Sequence, residues 1–542
     1  MANKKRNSFY IQGSILAAAS VISRLIGIAF KLPIQRMLGE VGYGIYSEAN
    51  EIYSMALLLS TFSIPMALSK LVSARETKKE YVNSYKILKI GFVFSSLLGL
   101  ATALLFWFFA GEISAFMLHD EKATLLLKAL APTIFVFSIM GVLRGFFQGK
   151  NTALPTSISQ IIEQIVHVGS GIALTALFLK IFSDKNDRIV YGAVGATLGT
   201  LAGAVTALVF LTFIYVIYRP LLMKRLTRDY TGHEESNGFL FKMLLITMFP
   251  IMINQILYSV TGTIDTAMSS HILALKGFDD DTRHTLNGIY LGQFRLLTNV
   301  PIAVASAIGI SIIPNMVMAS TEGRLKDVQL KIHQAVKLNM MIAIPSAFGL
   351  MALAEPIINT LFDNETGVGP VLMLMGGMSI VFYAYSTTTN SILQGMGRLR
   401  YPVMHAIVGI IVYCIFDFWV MYYTDLGIYT LALGYMVFPF TVGLLNWFRV
   451  GFEAAYRQEL LKTFVLPTLF SVIMGVVAYL LYRFLLPVLR WPIVVLVISI
   501  GTAGLIYAFL MIFTRTLTKE EMLELPMGAR LVRLVEKTGF KL

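Results

Sequence analysis

The chain has 542 residues, of which 56% are hydrophobic and only 14% charged, with a net charge of +13 and a mean hydropathy of +0.72. A soluble protein of this length carries nearer a quarter charged residues to cover its surface, so most of this surface must face lipid. The apolar runs reach about 20 residues or more without strict alternation, which excludes barrel strands and leaves helices that satisfy their own backbone hydrogen bonds.

In chain order, apolar runs against charged connectors predict spans near 9–37, 43–70, 86–110, 123–147, 157–181 and 191–218. A polar, basic stretch from Arg219 to Asn237 follows. Spans resume near 241–270, 286–318, 331–353, 367–396, 401–424 and 427–450, and two more follow near 462–485 and 491–514. The expectation is an all-α polytopic membrane protein of about 14 transmembrane helices. An even count places both termini on one side. The tail at 515–542 alternates Leu517, Met522, Leu525, Leu531 and Leu534 with Arg530, Arg533 and Lys537, and reads as an amphipathic segment on the membrane surface.

Lysine and arginine are concentrated in alternate connectors, as around Lys70–Lys89, Arg219–Lys242 and beyond Arg515. By the positive-inside rule these connectors and both termini are cytoplasmic, so the basic charge reports topology and no nucleic-acid partner is expected. The outer connectors are short, the longest running from about His271 to His284, which leaves no room for an external catalytic domain. The single cysteine, Cys414, excludes an intramolecular disulfide and a cysteine-based metal site. The first apolar run is too long for a cleavable signal and contains Arg24.

A weak internal repeat organises the chain. Gly44-Ile45-Tyr46 opens the second span and Gly288-Ile289-Tyr290 the eighth; Ile64-Pro65 answers to Ile313-Pro314, Gln148-Gly149 to Gln394-Gly395, and Pro155 to Pro402. The offsets are 244, 249, 246 and 247 residues. Four matches in order at nearly one offset point to two parallel six-helix lobes, at 1–218 and 241–452, joined by a linker at 219–240. Two C-terminal helices follow at 453–514. Parallel repeats of this kind put a site between the lobes.

Several motifs carry a resemblance: Ser23-Arg24-Leu25-Ile26-Gly27 and Arg36-Met37-Leu38-Gly39 in the first span, Arg295-Leu296, Pro301 and Ile312-Ile313-Pro314 in the eighth, and Gln148-Gly149 with Pro155 between the fourth and fifth. Together they resemble the multidrug/oligosaccharidyl-lipid/polysaccharide (MOP) exporter superfamily, in the branch of MurJ-like lipid II flippases and stage V sporulation protein B. The resemblance covers nearly the whole chain. It departs from proteobacterial relatives where Phe30-Lys31 and Met55-Ala56 stand in place of an acidic and a basic residue. It is closer to the Gram-positive, sporulation-protein style of the family. It implies a flippase moving lipid II, a peptidoglycan precursor, across a bacterial cell membrane by alternating access, with the two extra helices forming a path for the lipid tail.

Deep charges are the candidate site residues, because an intramembrane arginine costs several kcal/mol unless it faces water or a counter-charge. Arg24 lies about 20 Å into its helix; it reads either as a guanidinium gripping a diphosphate or as an ion pair with Glu48 or Glu51. Arg295 is its parallel in the second lobe and matches the family's eighth-span arginine. Lys31 and Arg144 complete the candidate substrate-binding set, each with an alternative as an interface anchor, as for Arg36. Glu48, Glu51, Glu163 and Asp265 are the candidate gating or ion-coupling residues. Glu48 also suits the opening turn of a helix. Glu163 pairs by spacing with His167, an arrangement that packing between helices also produces. Asp265 lies among Asn254, Gln255, Thr261 and Thr263, and Asp417 is a lesser candidate.

No phosphate-binding loop, metal-ligand cluster or nucleophile–base constellation appears, so a transporter rather than an enzyme is expected, with no cofactor. Coupling to the membrane potential, Na⁺ or H⁺ is left open. The alternatives are a flippase for another polyprenyl-linked polysaccharide unit, or a cation-coupled multidrug exporter. Lipid II and membrane lipids are the expected partners, and a monomer the expected state.

Overall fold

The computed structural model describes residues 2–58, 61, 63–150, 152–321, 324–362 and 366–517. The side chains of Arg24 and Asn254, and most of those at 308–319, lie outside the description, as does the expected amphipathic tail from residue 518 onward.

Every described regular element is a helix. The first half comprises α1 (Ala2–Leu57), α2 (Ser63–Thr77), α3 (Tyr81–Phe108), α4 (Ala110–Leu118), α5 (Thr124–Gly149), α6 (Leu154–Ile181), α7 (Arg188–Leu226), α8 (Asn237–Leu275) and α9 (Asp280–Ile289). A π-helical turn, Tyr290–Phe294, leads into α10 (Arg295–Thr321). Then come α11 (Leu325–Ala352), α12 (Ala354–Leu361), α13 (Val368–Gly376), α14 (Ser379–Gly395), α15 (Arg400–Tyr423), α16 (Tyr429–Ala454), α17 (Leu466–Leu489) and α18 (Pro492–Phe513). Among the described residues nine helices are long and apolar enough to cross a membrane. The number is eleven if two bent pairs, α8 about Asn254 (45°) and α13–α14 (43°), each count as one crossing. The two arms of α1 and the α9–α10 run are also long, but richer in polar residues.

The element α1 is two helices that meet at a kink, where the sequence divides its first two spans. Its 56 residues would reach roughly 84 Å if straight, well beyond a hydrocarbon core of about 30 Å. The chain bends at Gly39, whose φ of 69° and ψ of −179° form a conformation open to glycine alone. Leu58 and Thr61 are π-helical, and α2 is regular from Ser63, with Pro65 its third residue.

Two compact units divide the chain, Met1–Gly292 and Gln293–Leu542. The first takes in α8 and α9, which open the second sequence repeat. Its core is built from Phe30, Ile34, Tyr43, Leu126 and Ala196 on α1, α5 and α7, and a second cluster (Leu68, Val72, Phe146, Leu244) joins α2, α5 and α8. The second unit packs α10, α11, α14 and α16 around Ala305, Val336, Met340, Ala384 and Ile392. Helices α17 and α18 dock on its α11–α12 corner through Phe470, Met474, Leu496 and Leu353. Large apolar side chains such as Phe108, Phe116, Phe452 and Leu505 point outward, as lipid-facing residues should.

The connector after α7 is pinned rather than loose. Arg75 donates both to Glu235 Oε2 (3.1 Å) and to Glu235 Oε1 (3.0 Å), Lys86 pairs with Glu234 at 2.9 Å, and Asn83 donates to the His233 carbonyl at 2.8 Å. Ser236 then caps α8 by accepting from the Phe239 amide.

Candidate functional site

A buried polar cluster of the first unit lies where α9 meets α1. Asp279 caps α9 by accepting from the Thr282 amide, and Asp280 and Asp281 fill its first turn, where the helix dipole favours acids. The helix thus begins in the short turn after α8, which runs on to Leu275, farther than the expected span. From that start, His284 and Asn287 face α1 one turn apart. His284 Nδ1 lies 2.6 Å from Glu48 Oε2, and Nε2 lies 2.6 Å from Asp120 Oδ2 in the α4–α5 turn. Asn287 donates to Glu48 Oε1 at 2.7 Å. Both imidazole nitrogens therefore face carboxylate oxygens, an arrangement that calls for two N–H donors and so for the imidazolium.

This approach depends on two glycines. The Gly44 and Gly288 backbones touch: a Cβ on Gly44 would stand 1.9 Å from the His284 carbonyl oxygen, and one on Gly288 would stand 2.8 Å from the Gly44 Cα. They are the repeated glycines of the two Gly-Ile-Tyr motifs, so equivalent positions of the two repeats meet. Small residues let helix backbones come this close within a membrane.

Electrostatics favour the charged ring. Burial opposes the charge on His284, which is 2% exposed, but the two carboxylates outweigh it and hold the pKa up at about 9. Asp120 is pulled below the usual carboxylate range; burial pushes it up, and the hydrogen bond and charge of His284 prevail. Flanking charges are committed elsewhere. Arg283 donates to the carbonyls of Leu118 and Ser270, each at 3.1 Å, and pairs with Asp280. Lys122 pairs with Asp281 at 2.7 Å.

Of the gating candidates, Glu48 sits fully buried in this cluster, while Glu51 is half-buried one turn deeper. Glu163 is brought to Arg144, not to His167: Arg144 reaches Glu163 at 2.7 Å and donates to Ser159 at 3.0 Å. The guanidinium reaches across from α5, five residues before its end, to α6, nine residues past its start. His167 instead faces the Thr200 hydroxyl at 3.3 Å and packs on Phe30. Asp265 is buried on α8 and accepts from the Tyr290 hydroxyl at 2.6 Å.

Among the substrate-binding candidates, Lys31 is half-buried and the Arg24 side chain lies outside the described residues. Arg36 is exposed on the same helix. Arg295 opens α10 in the second unit. Its guanidinium lies over the Tyr435 ring, 5.4 Å from the centroid, and the Tyr435 hydroxyl donates to Asn299 at 3.2 Å. Asp417 is buried on α15, against Gly434 of α16.

Among the described residues one group has metal-ligand spacing: Glu80, His233 and Glu235 bring ligand atoms within 4.8 Å of one another. Two of the three are engaged, Glu235 with Arg75 and Glu80 with Asn83. An apolar cavity of about 410 Å³ in the first unit is lined by Ile52, Met55, Phe106, Phe109, Ile113 and Phe116.

His284, Asp120 and Asn287 were beyond sequence reasoning, because 236 and 164 residues separate His284 from its two carboxylates. The Arg144–Glu163 pair had a usable signal in the short turn between two spans.

Comparisons with known proteins add a lineage. Residues 12–320 match the family described as polysaccharide biosynthesis protein, and residues 292–419 match MatE. Relatives in Bacillus subtilis (strain 168) include stage V sporulation protein B, 24% identical over 531 residues that span 96% of this chain and 99% of that protein. The lipid II flippase MurJ is 25% identical over 476 residues, 85% of this chain and 86% of its own. Among solved structures, a lipid II flippase MurJ in an inward closed conformation superimposes with a TM-score of 0.67 at 17% identity, covering 92% of this chain and 98% of that one. An inward-facing MATE family multidrug transporter gives 0.65 at 16%, covering 80% and 94%. These two likenesses are of fold.

Proposed function

We propose, from the premise that the chain belongs to the polysaccharide biosynthesis protein family of the MOP superfamily, that it flips a polyprenyl-pyrophosphate-linked saccharide, lipid II foremost. At the coarser level it is a multi-pass membrane transporter of that superfamily. The observation that carries the finer reading is coverage: the flippase relative aligns over 85% of this chain, and the flippase structure over 92% against 80% for the multidrug transporter. The additional helices are the kind of feature that accommodates a long lipid tail.

In this reading Arg295, braced on Tyr435, and Arg24 bind the pyrophosphate, with Lys31 extending the cationic track. Arg144 is held by Glu163 at the basic end. The clustered lysines and arginines face the cytoplasm, so the Glu48–His284–Asp120 cluster lies at the outer end. There it joins α9, from the second repeat, to α1 and the α4–α5 turn, from the first. Alternating access requires that junction to part. Asp265 and Glu51 are placed to sense the motion, and the chain works as a monomer driven by the membrane potential, Na⁺ or H⁺.

The test is flipping of labelled lipid II in proteoliposomes, comparing the unaltered chain with Arg24→Ala and Arg295→Ala at equal insertion. Flipping that falls at least tenfold in both variants supports the reading. Unimpaired variants refute the site, and absence of flipping by the unaltered chain refutes the cargo. The MatE match at 292–419 favours a second reading, cation-coupled drug export. In that case, organic cations and not lipid II would move.

A further inference from the structure

We propose that His284 is a proton-binding site whose occupancy clasps α9 and the α4–α5 turn onto α1, and that opening this end of the protein releases one proton. The inference rests on the transport reading only for what the clasp controls.

The geometry is its ground. Glu48 is fully buried and His284 nearly so, and the ring bridges two carboxylates carried by separate elements. If the ring loses its proton while clasped, one nitrogen must present a lone pair to a carboxylate oxygen 2.6 Å away. That contact is repulsive, and it leaves a buried negative charge short of a donor. Parting of α9 from α1 hydrates both carboxylates and relieves the strain. The proton and the closed arrangement are therefore linked. The link has a definite sense: because the clasped ring holds its proton more tightly than a free imidazole, the clasp is at full strength below pH 6.5 and fails as pH rises through about 9.

Other charged and titratable groups stand on every element packed against the ring. On α1 these are Glu40 and Glu51 besides Glu48. The α4–α5 region offers His119, Glu121 and Lys122 besides Asp120, and Lys122 is paired with Asp281. From α8 comes His271, which bonds the Phe116 carbonyl at 2.6 Å and packs on the His119 ring at 5.4 Å. On α9 itself Arg283 is tied to Asp280 and two carbonyls. Among the described residues, the carboxylates in contact with the His284 ring nitrogens are those of Glu48 and Asp120.

The experiment measures distance without cargo. Nitroxides on Glu121→Cys and Phe278→Cys, both exposed positions, are introduced in a Cys414→Ser background. The full chain in phosphatidylglycerol–phosphatidylethanolamine nanodiscs is examined by double electron–electron resonance from pH 5.5 to 9.5. The expected result is one short-distance population at acid pH and a longer one growing in with alkali, their ratio changing by up to about tenfold per pH unit. His284→Asn should abolish the pH dependence, and Glu48→Gln should move the midpoint to lower pH. Distances indifferent to pH, or a His284→Asn profile like that of the unaltered chain, overturn the proposal. If His284→Asn does not fold, an unmoved midpoint in Glu48→Gln overturns it instead. A chain that titrates as expected but does not flip lipid II loses only the transport reading; one that flips lipid II with pH-indifferent distances loses only the clasp.

Discussion

Gly44→Ala tests whether backbone contact sets the position of α9. The new Cβ would stand 1.9 Å from the His284 carbonyl oxygen and 2.5 Å from the carbonyl carbon. Ordinary contact begins at 3.4 Å, so α9 must retreat by about 1.5 Å, and no rotamer change relieves a clash with backbone. A retreat of that size carries the bonds of 2.6 and 2.7 Å that Glu48 accepts from His284 and Asn287 beyond hydrogen-bonding range. Hydrogen bonds to a charged group contribute about 1.5–3 kcal/mol each. Allowing for partial replacement by water, the loss is about 3 kcal/mol. The assay is thermal unfolding in a single detergent, with Gly169→Ala on α6 as the control, because a Cβ there meets nothing within 4 Å. Replacing that helical glycine should be neutral or stabilise by about 0.5–1 kcal/mol. The Gly44 variant should therefore melt several degrees lower while the Gly169 variant does not. Equal midpoints for the two would refute the claim that close approach holds the cluster.

Three further outcomes are expected. Glu163→Gln strands Arg144 in a site where both side chains are only 12% exposed. It should destabilise by about 3 kcal/mol, while Arg144→Met with Glu163→Gln recovers most of that in a thermal melt; additive losses would contradict pairing. Arg75→Ala removes both bonds to Glu235 and should speed trypsin cleavage at exposed Arg228 at least tenfold, a change visible by gel. Tyr435→Leu removes the ring under Arg295 and should cut lipid II flipping about three- to tenfold, whereas Tyr435→Phe keeps the cation–π face and most of the rate; equal losses in both would point to the Asn299 bond instead.

Hydropathy made the helices legible because lipid imposes one solution on the backbone. It divided the first two spans next to Gly39, where the backbone leaves helical geometry, but it could not show that a single kinked residue makes the break, since a bend and a loop have the same composition there. Likewise, the break between α3 and α4 at Phe109 interrupts an apolar run that contains no proline. Intramembrane acids announce themselves by their cost, yet Glu48, in the opening turn of its expected span, has an ordinary explanation in the helix dipole that hides its role in the cluster. Its partners were not legible, because long-range contacts leave no trace in spacing. Arg295 could be singled out by depth, but its brace, Tyr435, looked like any membrane aromatic. The Gly-Ile-Tyr repeat was visible in the sequence; that its two glycines touch was not.

That last contact bears on ancestry. In a homodimer with two-fold symmetry, residues on the axis are those that meet their own copies, and Gly44 and Gly288 stand in that relation inside one chain. A half-length ancestor would have paired through a single glycine position, and any feature beside it would have occurred twice. At the same offset of 244 residues, Glu48 answers to Gly292 and His284 to Glu40. The junction is lopsided where the backbone contact is symmetric, with one histidine where a symmetric pair would have two or none.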